Sequence, residues 1–278
     1  MKYINKKSMF YFINIILVVL FLFPVAWTVS TSLKLPENIL TYPPKFIPEN
    51  ITFDNYIKLF VTGDGVFFKY LLNTVIVTAF TIFLVIFISS LAGYVFSNLR
   101  FKGLNVFFIL IIATMMVPFQ SLLIPIYSLM QKVGLLNTYW GLILIYTTFA
   151  LPFTVFMMKN SFEIIPKSLR ESALLDGCSE IQVFFKIYLP LSWPGLATIA
   201  VYTFMRVWNE FLVALIFTSD ESVQTLQVGL TNFALSRYRT SWEMITSGSI
   251  VSVIPIVIFF IFLQRYFIKG LTSGSVKH

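Results

Sequence analysis

Residues 167–190 read KSLRESALLDGCSEIQVFFKIYLP, a charged and well-punctuated stretch set between long apolar runs. Its punctuation predicts two short helices about a hinge. Pro166 suits a first helical position, where its missing N–H costs nothing. Leu169, Arg170, Glu171, Ala173, Leu174 and Leu175 are good helix formers. Gly177 stands where a helix closes in the left-handed conformation. Ser179 and Gln182 have the spacing of a capping box that opens a second helix. In that helix Ile181, Phe184, Phe185 and Tyr188 recur at helical spacing, an apolar stripe. Leu189-Pro190 predicts its end, and Trp193-Pro194-Gly195 a turn into the next apolar run. A helix of about ten residues is marginal alone in water. The unit therefore needs a partner surface, either lipid headgroups or another protein.

The surroundings decide what kind of chain this is. Its 278 residues are 58% hydrophobic and only 12% charged, with mean hydropathy +0.84. A soluble domain carries roughly 25% charge. Apolar runs of span length lie at 10–30, 71–96, 104–126, 139–158, 197–217 and 249–268. The expectation is an all-α polytopic membrane protein, one transmembrane domain over 1–278 with six spans and a polar loop at 159–196. A signal peptide is the rival reading of the first run, but the run exceeds a usual apolar core and no A-x-A site follows. Pro118 and Pro125 interrupt the third run, with Gln120 and Ser121 between them. Proline inside a span frees backbone carbonyls, which is tolerated only against protein or a water-filled cavity. Two readings stay open there, a broken helix lining a pathway and an ordinary kink. The connections include a proline-rich segment at 33–70 with a short helix near 53–59, an amphipathic stretch at 127–138, and a loop at 218–248 with a helix around 232–245.

Charge sets the orientation. On the side holding both termini and the loop 159–196 there are 12 basic and 4 acidic residues; the other side holds 7 of each. By the positive-inside rule the first side is cytoplasmic. The excess of +8 thus reflects membrane orientation, and no basic face with interleaved aromatics suggests nucleic acid. One His and one Cys argue against metal sites, disulfide frameworks and His-based catalysis. No G-x-x-x-x-G-K-[ST] phosphate loop is present, so any ATP hydrolysis belongs to a separate chain. Arg206, Asn209 and Glu210 lie inside the fifth run. A charge at that depth costs roughly 2.5–3.5 kcal/mol on insertion scales, so these groups face protein or water. Arg206 and Glu210 are four apart and can pair on one helix face. A polar pathway lining, a gate at a partner contact and a structural pair all remain open. Tyr139, Trp140, Trp193 and Trp242 fall near span ends and read as an interfacial belt.

At this point the residues resemble a known family. Glu171-Ser172-Ala173, Asp176-Gly177 and Ile187-Tyr188-Leu189-Pro190 resemble the EAA loop of ABC importer permeases, with Ser172 and Cys178 as small departures from its pattern. Trp208-Asn209-Glu210-Phe211, Thr225-Leu226-Gln227-Val228-Gly229-Leu230, Pro255, Gln264-Arg265-Tyr266 and residues 270–277 resemble the carbohydrate-uptake permeases of the MalG type; Gln227 stands where proline is common. The resemblance implies a coupling helix that docks on an ATPase through Glu171, Ser172, Ala173, Asp176, Gly177, Ile187, Leu189 and Pro190. Glu171 would be the charged contact, Ala173 would permit close approach and Gly177 would supply the bend. The candidate pathway or gate residues remain those read from the prolines and charges inside the spans, Pro118, Gln120, Arg206, Asn209 and Glu210, while the resemblance implies a C-terminal ATPase contact at Gly270, Gly274 and Lys277. The implied partners are a second related permease, two ATP-binding subunits, an extracytoplasmic sugar-binding protein and membrane lipid. No cofactor is expected on this chain, since ATP and Mg²⁺ would sit on the ATPase, and no covalent chemistry is expected of it. A permease of the same superfamily for another small solute is one rival. An ion-coupled secondary transporter is another, but it wants ionisable groups in several spans and only the fifth has them.

Overall fold

A computed structural model describes residues 6–234 and 241–273, apart from the side chains of Lys6, Asp64, Leu263 and 265–273. The described residues are all-helical. The helices are α1 (Lys6–Ser32), α2 (Asp54–Asn98), α3 (Leu104–Ala113), α4 (Phe119–Lys132), α5 (Tyr139–Glu163), α6 (Lys167–Leu175), α7 (Glu180–Val183), α8 (Leu189–Leu191), α9 (Trp193–Trp208), α10 (Leu212–Phe217), α11 (Leu226–Ala234) and α12 (Trp242–Ser273). Four stretches are long and apolar enough to cross a membrane: Lys7–Ser32, Gly65–Asn98, Tyr139–Glu163 and Trp242–Phe262. Two bent pairs have the same composition, Leu104–Met116 with Phe119–Lys132 and Glu180–Leu191 with Trp193–Trp208. Counting each pair as one span gives six.

The breaks differ from expectation in ways the backbone explains. In the third span the chain bends by 101° at Pro118, not at Pro125. Val117 is extended there (φ −82°, ψ 117°), as steric clash with a following proline demands. Pro125 instead sits inside α4 without a break. The helix expected to stop at Leu189-Pro190 runs on. A π-helical turn at Phe184–Tyr188 widens the helix just before the proline, and the real 75° bend comes at Ser192. The Ser192 hydroxyl there donates to the carbonyls of Tyr188 (2.8 Å) and Leu189 (3.2 Å). The expected apolar stripe divides: Phe184 and Tyr188 are buried, with Val183 beside them, while Ile181 and Phe185 are exposed. The fifth run does not continue to 217, because α9 ends at Trp208 and α10 begins at Leu212. The short helix near 53–59 belongs to α2, and 232–245 holds the end of α11 and the start of α12, with 235–240 outside the described residues.

The chain divides into two compact units. One comprises Met1–Lys69 with Val228–Pro255. Within it, Asn55 is fully buried and its amide donates to the carbonyls of Ser32 (2.9 Å) and Lys34 (2.8 Å), fixing the segment after α1. The other comprises Tyr70–Gln227 with Ile256–His278 and holds both regions that the sequence marks as functional. Its helices approach closely where residues are small. A Cβ on Gly93 would lie 2.7 Å from the Met158 Cβ and 2.9 Å from the Lys159 amide nitrogen. One on Gly195 would lie 2.8 Å from the Ser161 Cβ. Both α2 and α9 thus rest directly on the last turns of α5, the small-residue crossing that membrane helices favour. Gly93→Leu should force α2 off α5, because the obstacle is partly backbone. Overpacking of this kind costs about 1–3 kcal/mol. A lowered unfolding temperature of the purified protein is the expected result, and an unchanged one would contradict this packing.

Candidate functional site: the hinged loop and the broken spans

The loop 159–196 forms the two helices its punctuation predicts. α6 closes in a Schellman turn. Gly177 is left-handed (φ +85°), its N–H donates to the Leu174 carbonyl (3.1 Å), and the Cys178 N–H donates to the Ala173 carbonyl (3.0 Å). The capping box of α7 is formed from both directions. Ser179 N–H donates to Gln182 Oε1 (2.9 Å), and Gln182 N–H donates to Ser179 Oγ (3.3 Å).

The two faces of α6 differ. Ala173 is buried and packs in a core with Tyr94, Phe162, Val183, Phe184 and Tyr188. Ile187 and Leu189 pack against the same core. Among the residues of the family motif, Glu171, Ser172, Asp176, Gly177 and Pro190 are exposed. So is Leu175, at 89% of its full exposure, with Ile164 at 70% nearby. Leu175 thus stands on the exposed face of α6, opposite buried Ala173. Leu175 and Ile164 went unmarked in the sequence, where neither stands out from the apolar residues beside it.

A polar cluster behind α6 was also hidden. The Arg170 guanidinium pairs with the Glu180 carboxylate through Nη2 to Oε1, and through Nε to Oε2 at 3.1 Å. The Tyr94 hydroxyl donates to Glu180 Oε2 at 2.6 Å. Glu180 heads α7 at the polar end of its bent span. Tyr94 itself meets the rings of Phe184 and Tyr188 edge-on at 5.3 and 5.1 Å. The available signal was the Gly177 hinge, which folds residues ten apart against each other.

The second region lies where the third and fifth spans break. A cavity of about 290 Å³ is lined by Gln120, Tyr146, Arg206 and Glu210 among others. A second, of about 640 Å³, is lined by Pro118, Phe153, Tyr202 and Arg206 among others. Both share Phe119, Phe149 and Arg206. Arg206 and Glu210 do not pair. Glu210 Oε1 accepts from the Val213 N–H (2.9 Å), and its Oε2 accepts from the Ala214 N–H (3.1 Å) and the Tyr146 hydroxyl (2.7 Å). The carboxylate thus caps α10, where a helix N-terminus favours negative charge. Arg206 turns the other way. Its Nη1 donates to the Tyr202 hydroxyl (3.0 Å), the guanidinium lies 5.7 Å from that ring's centroid, and the side chain is exposed. The reason is the break at Asn209, which rotates Glu210 out of the helical register that an i,i+4 pair needs. Asn209 closes α9 by donating to the Met205 carbonyl (2.9 Å). Gly270 lies within α12, and Gly274 and Lys277 lie outside the described residues.

An all-helical chain with up to six spans, two of them broken, and one hinged polar loop is the frame of a multi-pass permease. Residues 85–273 match the family model of binding-protein-dependent transport system inner membrane components, and the chain belongs to that family. It is 38% identical to the probable ABC transporter permease protein YurM of Bacillus subtilis, over 99% of this chain and 90% of that one. It is 35% identical to the arabinooligosaccharides transport system permease protein AraQ of the same organism, over 93% of this chain and 91% of that one. Among solved structures it superposes with TM-score 0.81 and 26% identity on a chain of a bacterial ABC transporter involved in the import of the acidic polysaccharide alginate, covering 96% of this chain and 99% of that one.

Proposed function

We propose that this chain is one permease of an ATP-driven, binding-protein-dependent importer for carbohydrate, forming half of its translocation pathway. The observation that carries the coupling role is the two-faced helix α6: Ala173 locked into the chain's own core, Glu171 and Leu175 bare on the other side. Such a helix transmits a push without deforming, because its inner face is already close-packed. Its outer face docks on an ATP-hydrolysing subunit, with Glu171 as the charged contact, Leu175 as an apolar anchor and Gly177 holding the bend. Ala173, Ile187 and Leu189 serve the same coupling from inside, by joining the loop to the spans. In this reading the loop and both termini are cytoplasmic, which the 12 Lys and Arg residues on that side against 7 on the other support. The transmembrane domain is the whole of 1–278.

The assembled importer holds a second related permease, two ATPases that bind ATP and Mg²⁺, and an extracytoplasmic sugar-binding protein. Alternating access then follows from closure of the ATPases against the two coupling loops. Carbohydrate as the cargo is supported by relatives whose names specify arabinooligosaccharides and alginate, and by the aromatic lining of the cavities beside Arg206 and Gln120. Phe153 and Tyr202, with ring centroids 4.3 Å apart, and Phe119 and Phe149, at 4.7 Å, present ring edges and faces suited to sugar C–H groups. Pro118 and Asn209 mark the hinges of this path, with Gly270, Gly274 and Lys277 a C-terminal contact to the ATPase.

The test is uptake by the complete importer in vesicles, with arabino-oligosaccharides, maltose and alginate oligosaccharides as probes. Glu171→Lys should leave the complex in the membrane and reduce ATP-driven uptake to background. Wild-type rates from that variant would refute the docking role.

A further inference from the structure

Resting on the coupling role above, we infer that Tyr94, Glu180 and Arg170 form the strut that carries the displacement of α6 into the spans. The covalent route from α6 toward α9 passes through Gly177, a π-helical turn and the bend at Ser192. Each of these is a point where a helix yields more readily than in a regular α-helical ladder. The packing of Ala173 joins α6 to the core without fixing direction, so a push keeps its direction only through a bonded connection that bypasses these points. Glu180 supplies it. Its carboxylate receives Arg170 from α6 on one side and the Tyr94 hydroxyl from α2 on the other, across 86 residues of sequence. Charge-assisted hydrogen bonds of this kind are the stiff ones, and the planar guanidinium fork fixes direction as well as distance. Tyr94 lies one residue from Gly93, where α2 rests on the backbone of α5. The ring of Tyr94 is wedged among Phe162, Phe184 and Tyr188. Movement of Arg170 thus reaches α2 and α5 together without passing through the hinge. These three are positioning residues: none has to touch the ATPase or the sugar.

The same core contains its own control. The Tyr188 hydroxyl is buried and has no hydrogen-bond partner among the described residues. Tyr94→Phe and Tyr188→Phe therefore make the same chemical change in the same aromatic cluster, and only the first removes a bond.

The experiment uses the complete importer in lipid vesicles, in a Cys178→Ser background. Spin labels at Ser168→Cys on α6 and Ser97→Cys on α2 report the distance between the two helices by pulsed electron resonance, with and without ATP and vanadate. With Tyr94 and Glu180 intact the distance should stay narrow and constant, α6 and α2 moving as one body. In Tyr94→Phe and Glu180→Ala it should broaden and change on nucleotide binding. ATP hydrolysis should persist, while arabino-oligosaccharide taken up per ATP falls about tenfold in Tyr94→Phe, which removes one charge-assisted hydrogen bond, and further in Glu180→Ala, which removes three. Glu180→Gln, which keeps an acceptor for Tyr94, should recover part of the coupling, and Tyr188→Phe should match the parent. A distance that stays narrow in Tyr94→Phe and Glu180→Ala, or equal losses in Tyr94→Phe and Tyr188→Phe, would overturn the strut. The distance arm needs no sugar. If arabino-oligosaccharide is not taken up at all, the cargo reading fails while the strut is still decided.

Discussion

Gly177→Pro should abolish ATP-driven uptake while leaving the permease in the membrane. Two independent effects act at this position. The backbone is left-handed, with φ +85°, whereas proline locks φ near −65°. Proline also removes the N–H that reaches the Leu174 carbonyl at 3.1 Å, half of the turn that closes α6. The chain leaving α6 must then take another direction. Ser179 can no longer start α7 where Glu180 meets Arg170, so the exposed face of α6 and its inner anchor are lost together. Gly177 itself lies outside the spans, and the apolar runs that drive insertion are unchanged. Gly177→Asn, which tolerates the left-handed region, should keep most of the activity. Gly177→Ala should fall between, at a cost of about 1–2 kcal/mol for a side chain held in that conformation. Uptake by vesicles containing the full importer, normalised to permease content by immunoblot, measures the series. Full uptake by the proline variant would show that the hinge geometry is dispensable.

The second large effect is on stability. Glu210→Leu strands two backbone amides, those of Val213 and Ala214, and the Tyr146 hydroxyl. A buried donor without an acceptor costs about 1–3 kcal/mol, and three together cost several. Each kcal/mol moves an unfolding midpoint by roughly 2–4 °C in a chain of this order of size. A fall on the order of 10 °C in the detergent-solubilised protein is the expected result. Glu210→Gln keeps one good acceptor and should lose less. Unchanged stability with loss of uptake would instead make Glu210 a pathway residue first and a helix cap second. Arg206→Gln provides the contrast: its guanidinium is exposed and among the described residues bonds a tyrosine hydroxyl, so its removal should leave the midpoint near the parent's while any effect falls on transport.

Much of this was legible before any coordinates. The six apolar runs and the capping pattern around Gly177 are local signals, set by hydropathy and by the few residues either side of a helix end. The Schellman turn and the capping box follow the residues that predict them almost atom for atom. Breaks inside the spans were harder. Pro118 and Pro125 look alike in sequence, yet only the first bends the chain, because only there does the backbone leave the helix altogether. The π-helical turn before Pro190 has no residue-level signature, and the expected apolar stripe divides, with Phe184 and Tyr188 buried and Ile181 and Phe185 exposed. The spacing of Arg206 and Glu210 suggested an ion pair because it presumed an unbroken helix; the break at Asn209 gave Glu210 to the amides of α10 instead. Ala173 reads as a docking residue in the family motif, but its burial depends on Tyr94 and Phe162, which are remote in sequence. The Tyr94–Glu180–Arg170 cluster was invisible for the same reason, since α2 is brought to the loop only by the packing of α2 on α5.

The most direct test of the central claim is uptake of labelled oligosaccharide by vesicles holding the complete importer, with its binding protein and ATPase subunits, under two driving forces. Uptake should require ATP inside the compartment of the ATPase, stop when Glu171 is changed to Lys, and ignore imposed proton or sodium gradients. Uptake driven by an ion gradient without ATP or ATPase would contradict it.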